Sequence, residues 1–389
     1  MKELAISSLE DVGGRLPGLD LLRTLAIGLV VVFHMNLANP PAFLVPIQQC
    51  GFMGVDLFFV LSGYLIGSQL LRYYRRDATP SVRVFFLRRA FRVLPAFLVV
   101  LSLYLLLPDF RERPHLPDFW RFLTFTMNLG LHAPAAFSHA WSLCVEEHFY
   151  LVFPFLVIWL MRGASLWKSS GVVLAILVGG LLIRYLIWQQ YLGPIATDAN
   201  CEDLFVRRYW EFIYFPTYSR LDGLLVGVVL AAVRIFRPRW WRTAMAKRIT
   251  LLIVALAMLS LAVWISWDLY AFSAIICGFP LTAIAFGLLL LAVSDLRTPV
   301  PGAALGAALA YSVYLTHKEM MHLDRVYLKG VVNFDGPAGV LVYVVTILAV
   351  GATLYLCVER PFLRLRDRIL SRARAGDPNA PAIPLAVEP

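Results

Sequence analysis

A chain of 389 residues with 60% hydrophobic side chains and a mean hydropathy of +0.72 is too apolar for a soluble globule. Charged residues make up only 15%, so the net charge of +10 does not argue for a nucleic-acid partner and fits membrane topology instead. Cys50, Cys144, Cys201, Cys277 and Cys357 lack any paired metal-ligand spacing, so no metal site is expected.

Residues 1–17 are polar and no small-residue cleavage site follows the first apolar stretch, so no cleavable signal peptide is expected. Ten stretches are long enough to cross ~30 Å of hydrocarbon. They run over 19–37, 52–70, 91–107, 141–161, 171–188, 213–233, 249–267, 272–293, 303–322 and 337–357. The expected fold is therefore all-α and polytopic, with about ten transmembrane helices. Residues 119–131 are too short and too flanked by charge for another span, and read as an interfacial or re-entrant piece. Residues 1–18 form an N-terminal segment, 19–366 the membrane domain, and 367–389 an Ala- and Pro-rich tail expected to be disordered.

Lysine and arginine set the orientation. Arg72, Arg75, Arg76, Arg83, Arg88, Arg89 and Arg92 precede the third span, and further basic clusters fill 234–248 and the tail after Glu359. With Lys2, Arg15, Arg162, Lys168 and Arg297, these fall on the side that holds both termini. The opposite side has Arg111, Arg113, Arg121, Arg207, Arg208, Arg325 and Lys329. A split of twenty-four to seven places both termini in the cytoplasm. Cys50 and Cys201 both lie on the outer side, where a disulfide between them is open.

Orientation gives each polar residue a depth. In the first span Arg23 and His34 are eleven residues apart, about three helical turns, so they share a face and lie ~16 Å apart along the axis. Arg23 falls near the cytoplasmic face and His34 near the outer one. An ionisable pair in an apolar span is costly and is read as a functional site. Asp56 opens the second span, and Trp141, Ser142, Glu146 and Glu147 open the fourth. Arg220 and Asp222 open the sixth, and His317 closes the ninth, so five spans bring ionisable groups to one outer layer. Ser142, Glu146 and Tyr150 recur every four residues and line one face. On the cytoplasmic side Arg88, Arg89 and Arg92 lead into the third span beside Arg23. Arg89 and Arg92 face one way, and their planar donors suit an anionic ligand as well as they suit plain positive-inside charge.

Taken in order, these segments resemble a known family. The Arg–x10–His first span, GVDLFFVLSGYLIG, RRAFRVLPAF, HAWSLCVEEHFYLVFP, SRLDGLLVG, YSVYLTH and the closing Val358-Glu359-Arg360-Pro361 look like the membrane acyltransferase family 3. The resemblance covers about Asp20 to Arg366. His148 stands where Gln is more usual, and Tyr218 where a His is often seen. Some members add an extracellular hydrolase-like domain, and none is expected within these 389 residues.

The resemblance implies an integral O-acyltransferase of the bacterial inner membrane. It takes an acyl group, foremost acetyl, from cytoplasmic acyl-CoA to a hydroxyl of a glycan, glycolipid or macrolide. Coenzyme A phosphates at Arg89, Arg92, Arg23 and Arg88 would leave the pantetheine arm running along the first span to His34. Transfer to an alcohol needs a base, donors for the oxyanion and exclusion of water. His34 is the expected base. Glu146, then Glu147, is the expected carboxylate orienting it or the acceptor, and Asp56 is an alternative. Ser62, Ser142 or Trp141 would serve as oxyanion donors, and Arg220, Asp222 and His317 touch the acceptor or pair structurally. Direct transfer and a covalent acyl-enzyme both remain open. A proton-coupled transporter is the rival reading, although no inverted repeat or paired broken helices support it.

Overall fold

The computed structural model describes residues 16–37, 40, 42, 44–75, 81–132, 134–163 and 165–375, and among these the chain is helical with no strand. The expectations for Lys2, Arg15, Arg76 and the tail beyond residue 375 lie outside the described residues. Ten long helices follow one another: α1 (Pro17–Met35), α2 (Met53–Arg75), α3 (Val82–Leu106), α4 (Trp141–Met161) and α5 (Leu166–Ile187), then α6 (Asp222–Phe236), α7 (Arg248–Ile265), α8 (Phe279–Val293), α9 (Ala303–Leu328) and α10 (Pro337–Leu354). Eight of these helices, α8 only when joined to the preceding π turn from Ala274, form segments long and apolar enough to cross a membrane. The other two are α6, with 15 residues, and α9, whose 26 residues carry Lys318, Glu319, Asp324 and Arg325. The chain is a polytopic all-α membrane protein.

The sixth span departs from expectation. A helix from residue 213 is broken at Pro216, which lacks an N–H to continue the helical bonding and is itself extended, with ψ 141°. A wide π turn over Trp210–Tyr214 and a tight turn over Thr217–Ser219 replace it, and α6 starts only at Asp222. At the C-terminal end, Tyr355–Glu359 forms another π turn and the chain continues as α11 (Arg360–Ala375). Residues 367–375, expected within a disordered tail, are therefore helical. They extend a stretch in which Leu363 and Arg366 are buried while most intervening residues are exposed. Residues 119–131 form one short helix, Phe119–Leu123, followed by turns. All five cysteines are free, and Cys201 donates its thiol proton to Asp198 rather than bonding to Cys50.

The second helix is the hub. Of its apolar window 83% is buried, against 6% for α5, so α2 is central and α5 faces lipid. Its tightest partner is α6, and the approach depends on glycine. A Cβ at Gly63 would strike the backbone of Leu224, and one at Gly227 the backbone of Val60 and Tyr64. Small residues are what let helices meet this closely in lipid, where apolar association alone gives little drive.

Buried ion pairs fix how these helices sit. Arg220, 2% exposed, donates to Asp56 Oδ1 of α2 at 3.0 Å and lies over the rings of Phe279 (4.0 Å) and Tyr214 (4.8 Å). Arg184 of α5, fully buried, forks onto Asp222 of α6 at 2.7 and 3.3 Å and donates to the Ser219 carbonyl at 2.7 Å. Arg220 and Asp222 are thus not partners of each other. Removing one member of a buried pair strands the other charge, which costs about 3–5 kcal/mol. Asp56→Ala is therefore expected to lower the thermal midpoint of the detergent-solubilised protein sharply, and Asp56→Leu with Arg220→Met to restore much of it. An unchanged midpoint in Asp56→Ala with lost activity would instead make Asp56 part of the chemistry.

Candidate active site

Two open cavities lie within the helices. One, of about 770 Å³, is lined by Arg23 of α1, Ser62 of α2, Arg89 and Arg92 of α3, Ser142 and Glu146 of α4, and Tyr311 of α9. The other, of about 800 Å³, is lined by His34 of α1, Arg113, His139, Lys318 of α9 and a wall of Trp141, Trp210, Tyr214 and Phe215. Val55 and Tyr314 line both. The arginine-lined and histidine-lined cavities therefore meet at these two side chains, and α1 runs alongside with Arg23 at one and His34 at the other.

His34 lies in the last turn of α1, and its Nδ1 is 2.9 Å from the Val30 carbonyl oxygen. A carbonyl only accepts, so Nδ1 carries the proton and Nε2 keeps its lone pair. His317 obeys the same logic: its Nδ1 donates to the Tyr314 carbonyl at 2.8 Å, which leaves its Nε2 as an acceptor. That Nε2 is 3.2 Å from His34 Nδ1, so the His34 N–H is shared between Val30 and His317. Both bonds hold one tautomer and one ring plane, with Nε2 of His34 as the unengaged basic nitrogen in the histidine-lined cavity.

Behind this pair lies further buried polarity. The His139 ring packs on His317 with centroids 5.1 Å apart, and its Nε2 lies 3.4 Å from the Leu315 carbonyl oxygen and 3.9 Å from Glu319. The carboxylate of Glu112 accepts from Lys318 at 2.9 Å, from the Tyr104 hydroxyl at 2.9 Å and from the Phe137 N–H at 3.1 Å. Glu112, His139 and Glu319 bring ligand-type atoms within 4.8 Å of one another, but the Lys318 ammonium already supplies the cation at Glu112.

The arginine-lined cavity is a network of charge-assisted bonds. Arg89 donates to Glu147 at 3.2 Å, lies 4.0 Å from Glu146, and stacks 3.9 Å over the Tyr150 ring. Glu146 accepts from Ser62 at 2.7 Å and from Tyr150 at 3.0 Å. Arg92 pairs with Glu359, whose other oxygen accepts from Ser312 at 2.7 Å. Ser142 and the Tyr314 hydroxyl are 2.5 Å apart, and Tyr314 donates to the His139 carbonyl at 2.7 Å.

Several expected residues come together and others separate. Arg23, Arg89 and Arg92 share one cavity, although Arg89 and Arg92 each turn to a carboxylate rather than presenting a joint free face. Arg88, half-buried, does not line it. Glu146 and Glu147 sit with the arginines and not at His34, because they are the counter-charges of Arg89. Asp56 is held by Arg220 and does not orient His34; that place is taken by His317. Of the three residues expected as oxyanion donors, Ser62 and Ser142 lie on the arginine side and are engaged, while Trp141 lines the histidine side. Sequence reasoning passed over Lys318, Glu319, Arg184, His139 and Glu359 as site residues. For the first three the signal was present, as ionisable residues inside apolar stretches.

Comparison with known proteins identifies relatives of this chain. A peptidoglycan O-acetyltransferase of Listeria monocytogenes is 29% identical over 235 residues, covering 56% of this chain and 34% of that protein. A Bacillus subtilis protein provisionally named a peptidoglycan O-acetyltransferase is 32% identical over 238 residues, covering 56% of this chain and 33% of its own length. The chain thus spans about a third of the length of these relatives. No solved structure matches it. The acyltransferase domain profile aligns with residues 16–356, from the first helix to the last span and across both cavities, and the chain belongs to that family.

Proposed function

We propose that the protein transfers an acetyl group from acetyl-CoA to a hydroxyl of a cell-wall polysaccharide. The observation that carries this reading is His34: its Nδ1 is tied down, and its Nε2 is left basic in a cavity that adjoins an arginine-lined one. The lysine and arginine asymmetry supports a cytoplasmic side for the arginine-lined cavity, where acyl-CoA is made, with His34 toward the outer face. Arg23, Arg89 and Arg92 supply donors for the donor's phosphates, with Glu147 and Glu359 holding two of them in place. The aromatic wall of Trp141, Trp210, Tyr214 and Phe215 suits the apolar faces of a sugar ring. The names of the relatives point to peptidoglycan as the acceptor.

In the reaction, the acceptor hydroxyl gives its proton to His34 Nε2 as its oxygen bonds to the thioester carbon. The carbon–sulfur bond then breaks and the proton ends on the departing thiol. His317 acts through His34 as a positioning residue, since rotation of the imidazole would break a bond at each end.

Purified protein in nanodiscs should release free thiol from acetyl-CoA only when a peptidoglycan-derived glycan is present, and the glycan should gain base-labile acetate. No acetate transfer to any glycan tested would overturn the proposal. His34→Ala should lower turnover by about 10²–10⁴-fold, the usual worth of a positioned acid–base group, while the protein still inserts and melts normally.

His317→Leu should cut kcat on the order of tenfold to hundredfold with little change in KM, as loss of an orienting partner does. His317→Gln, whose amide oxygen still accepts from His34, should recover most of it. Equal losses in the two variants would exclude an orienting role. At the other cavity, Arg23→Gln should raise KM for acetyl-CoA by about tenfold or more, consistent with a lost charge-assisted bond. Arg92→Gln should raise that KM too and also lower the melting midpoint, because it removes the ion-pair partner of Glu359, which is 1% exposed.

A further inference from the structure

We propose that Val55 sets the size of the acyl group this protein transfers. The inference rests on the proposed reaction and adds to it the place where the acyl group stands. Val55 and Tyr314 are the two residues that line both cavities. A thioester whose sulfur lies toward the arginines and whose carbonyl carbon is attacked by a hydroxyl at His34 must hold that carbon at their meeting point. The geometry of the carbon then decides where its substituent goes. When the hydroxyl adds, the carbon becomes tetrahedral: sulfur and the incoming oxygen take the two directions toward the cavities, and the oxyanion and the acyl chain take the other two, against the wall where the cavities adjoin.

That wall is stiff. Tyr314 is 6% exposed and is held by its bonds to the His139 carbonyl (2.7 Å) and Ser142 (2.5 Å), with the Phe58 ring 6.2 Å away between centroids. Val55, also 6% exposed, is β-branched and has one strongly preferred rotamer in a helix. Its neighbour Gly54 packs so close to Ala26, Leu29 and Val30 that α2 cannot shift toward α1 there. Acetyl presents a single methyl to this wall. Each added methylene must displace a side chain that has little freedom to move.

The step itself balances. The oxygen–carbon bond forms, the carbon–sulfur bond breaks, and the hydroxyl proton passes by way of His34 Nε2 to the thiol. Changing Val55 alters none of these groups, so its effect falls on the choice of acyl donor.

The test compares acetyl-, propionyl- and butyryl-CoA, with a peptidoglycan-derived glycan as acceptor, in the wild type and two variants. One or two methylenes in an apolar pocket discriminate about 10–200-fold. Val55→Ala should therefore raise the butyryl-to-acetyl ratio of kcat/KM at least tenfold. Val55→Leu, which adds a methylene to the wall, should lower the propionyl-to-acetyl ratio below that of the wild type. The two variants move the ratio in opposite directions, so the loss of either one to misfolding leaves the other to decide. If the wild type transfers acetate and a folded variant keeps its acyl preference, the assignment of Val55 fails and the proposed reaction stands. If the wild type transfers nothing, both fall together.

Discussion

A guanidinium inside the helical layer has no water to solvate it and must meet a carboxylate brought by another helix. Four such meetings organise this protein. Arg220 meets Asp56 of α2, Arg184 of α5 meets Asp222 of α6, Arg89 of α3 meets Glu147 of α4, and Arg92 of α3 meets Glu359 beyond α10. Isolated pairs of this kind add little net stability, because desolvation offsets attraction, but a mismatched arrangement strands a charge and is costly. Their effect is therefore selection. Among the ways apolar helices can pack in lipid, these pairs single out one in which α2 is central and α1, α3, α4 and α9 surround the two cavities.

The same constraint explains what was legible in the sequence. The spans, the helical class and the shared face of Arg23 and His34 follow from hydropathy and from 3.6 residues per turn, and both are local properties. The sixth span was misplaced because Pro216 breaks a stretch whose hydropathy alone looks continuous. Which helices adjoin is not local at all. His317 lies 283 residues from His34 in the chain, yet it shares that residue's N–H. Depth along a span suggested that Glu146 and Asp56 stood beside His34, but depth does not say which way a helix face is turned. The face is set by Arg89 and Arg220, whose need for counter-charge turned both carboxylates away.

That commitment of carboxylates bears on the form of the site. In many acyl-transfer enzymes a carboxylate holds the tautomer of the basic histidine. Here Asp56, Glu146 and Glu147 are already engaged by arginines, and a further ionised group at His34 would need a partner of its own. An imidazole anchored to a backbone carbonyl does the orienting without adding a buried charge. His317, bonded to Tyr314 on one side and His34 on the other, is that solution. The carbonyls of Val30 and Tyr314 complete it, so the tautomer is set by backbone groups that no side-chain motion can withdraw.

In the proposed reaction, the meeting of two cavities at two side chains then has a chemical consequence. Thioesters hydrolyse, and a donor and an acceptor arriving from opposite sides of a membrane need a junction that admits both reactants while excluding bulk water. Tyr314 serves three structural functions there: its backbone carbonyl anchors His317, its hydroxyl ties α9 to the start of α4, and its ring closes the wall opposite Val55. A shift of α9 would move the wall and the His317 imidazole that orients the base together. The barrier between the cavities and the His317 bond to His34 are thus linked through α9, so in the proposed reaction an opening of the junction to water would also loosen the second hold on the His34 ring, leaving only the Val30 carbonyl.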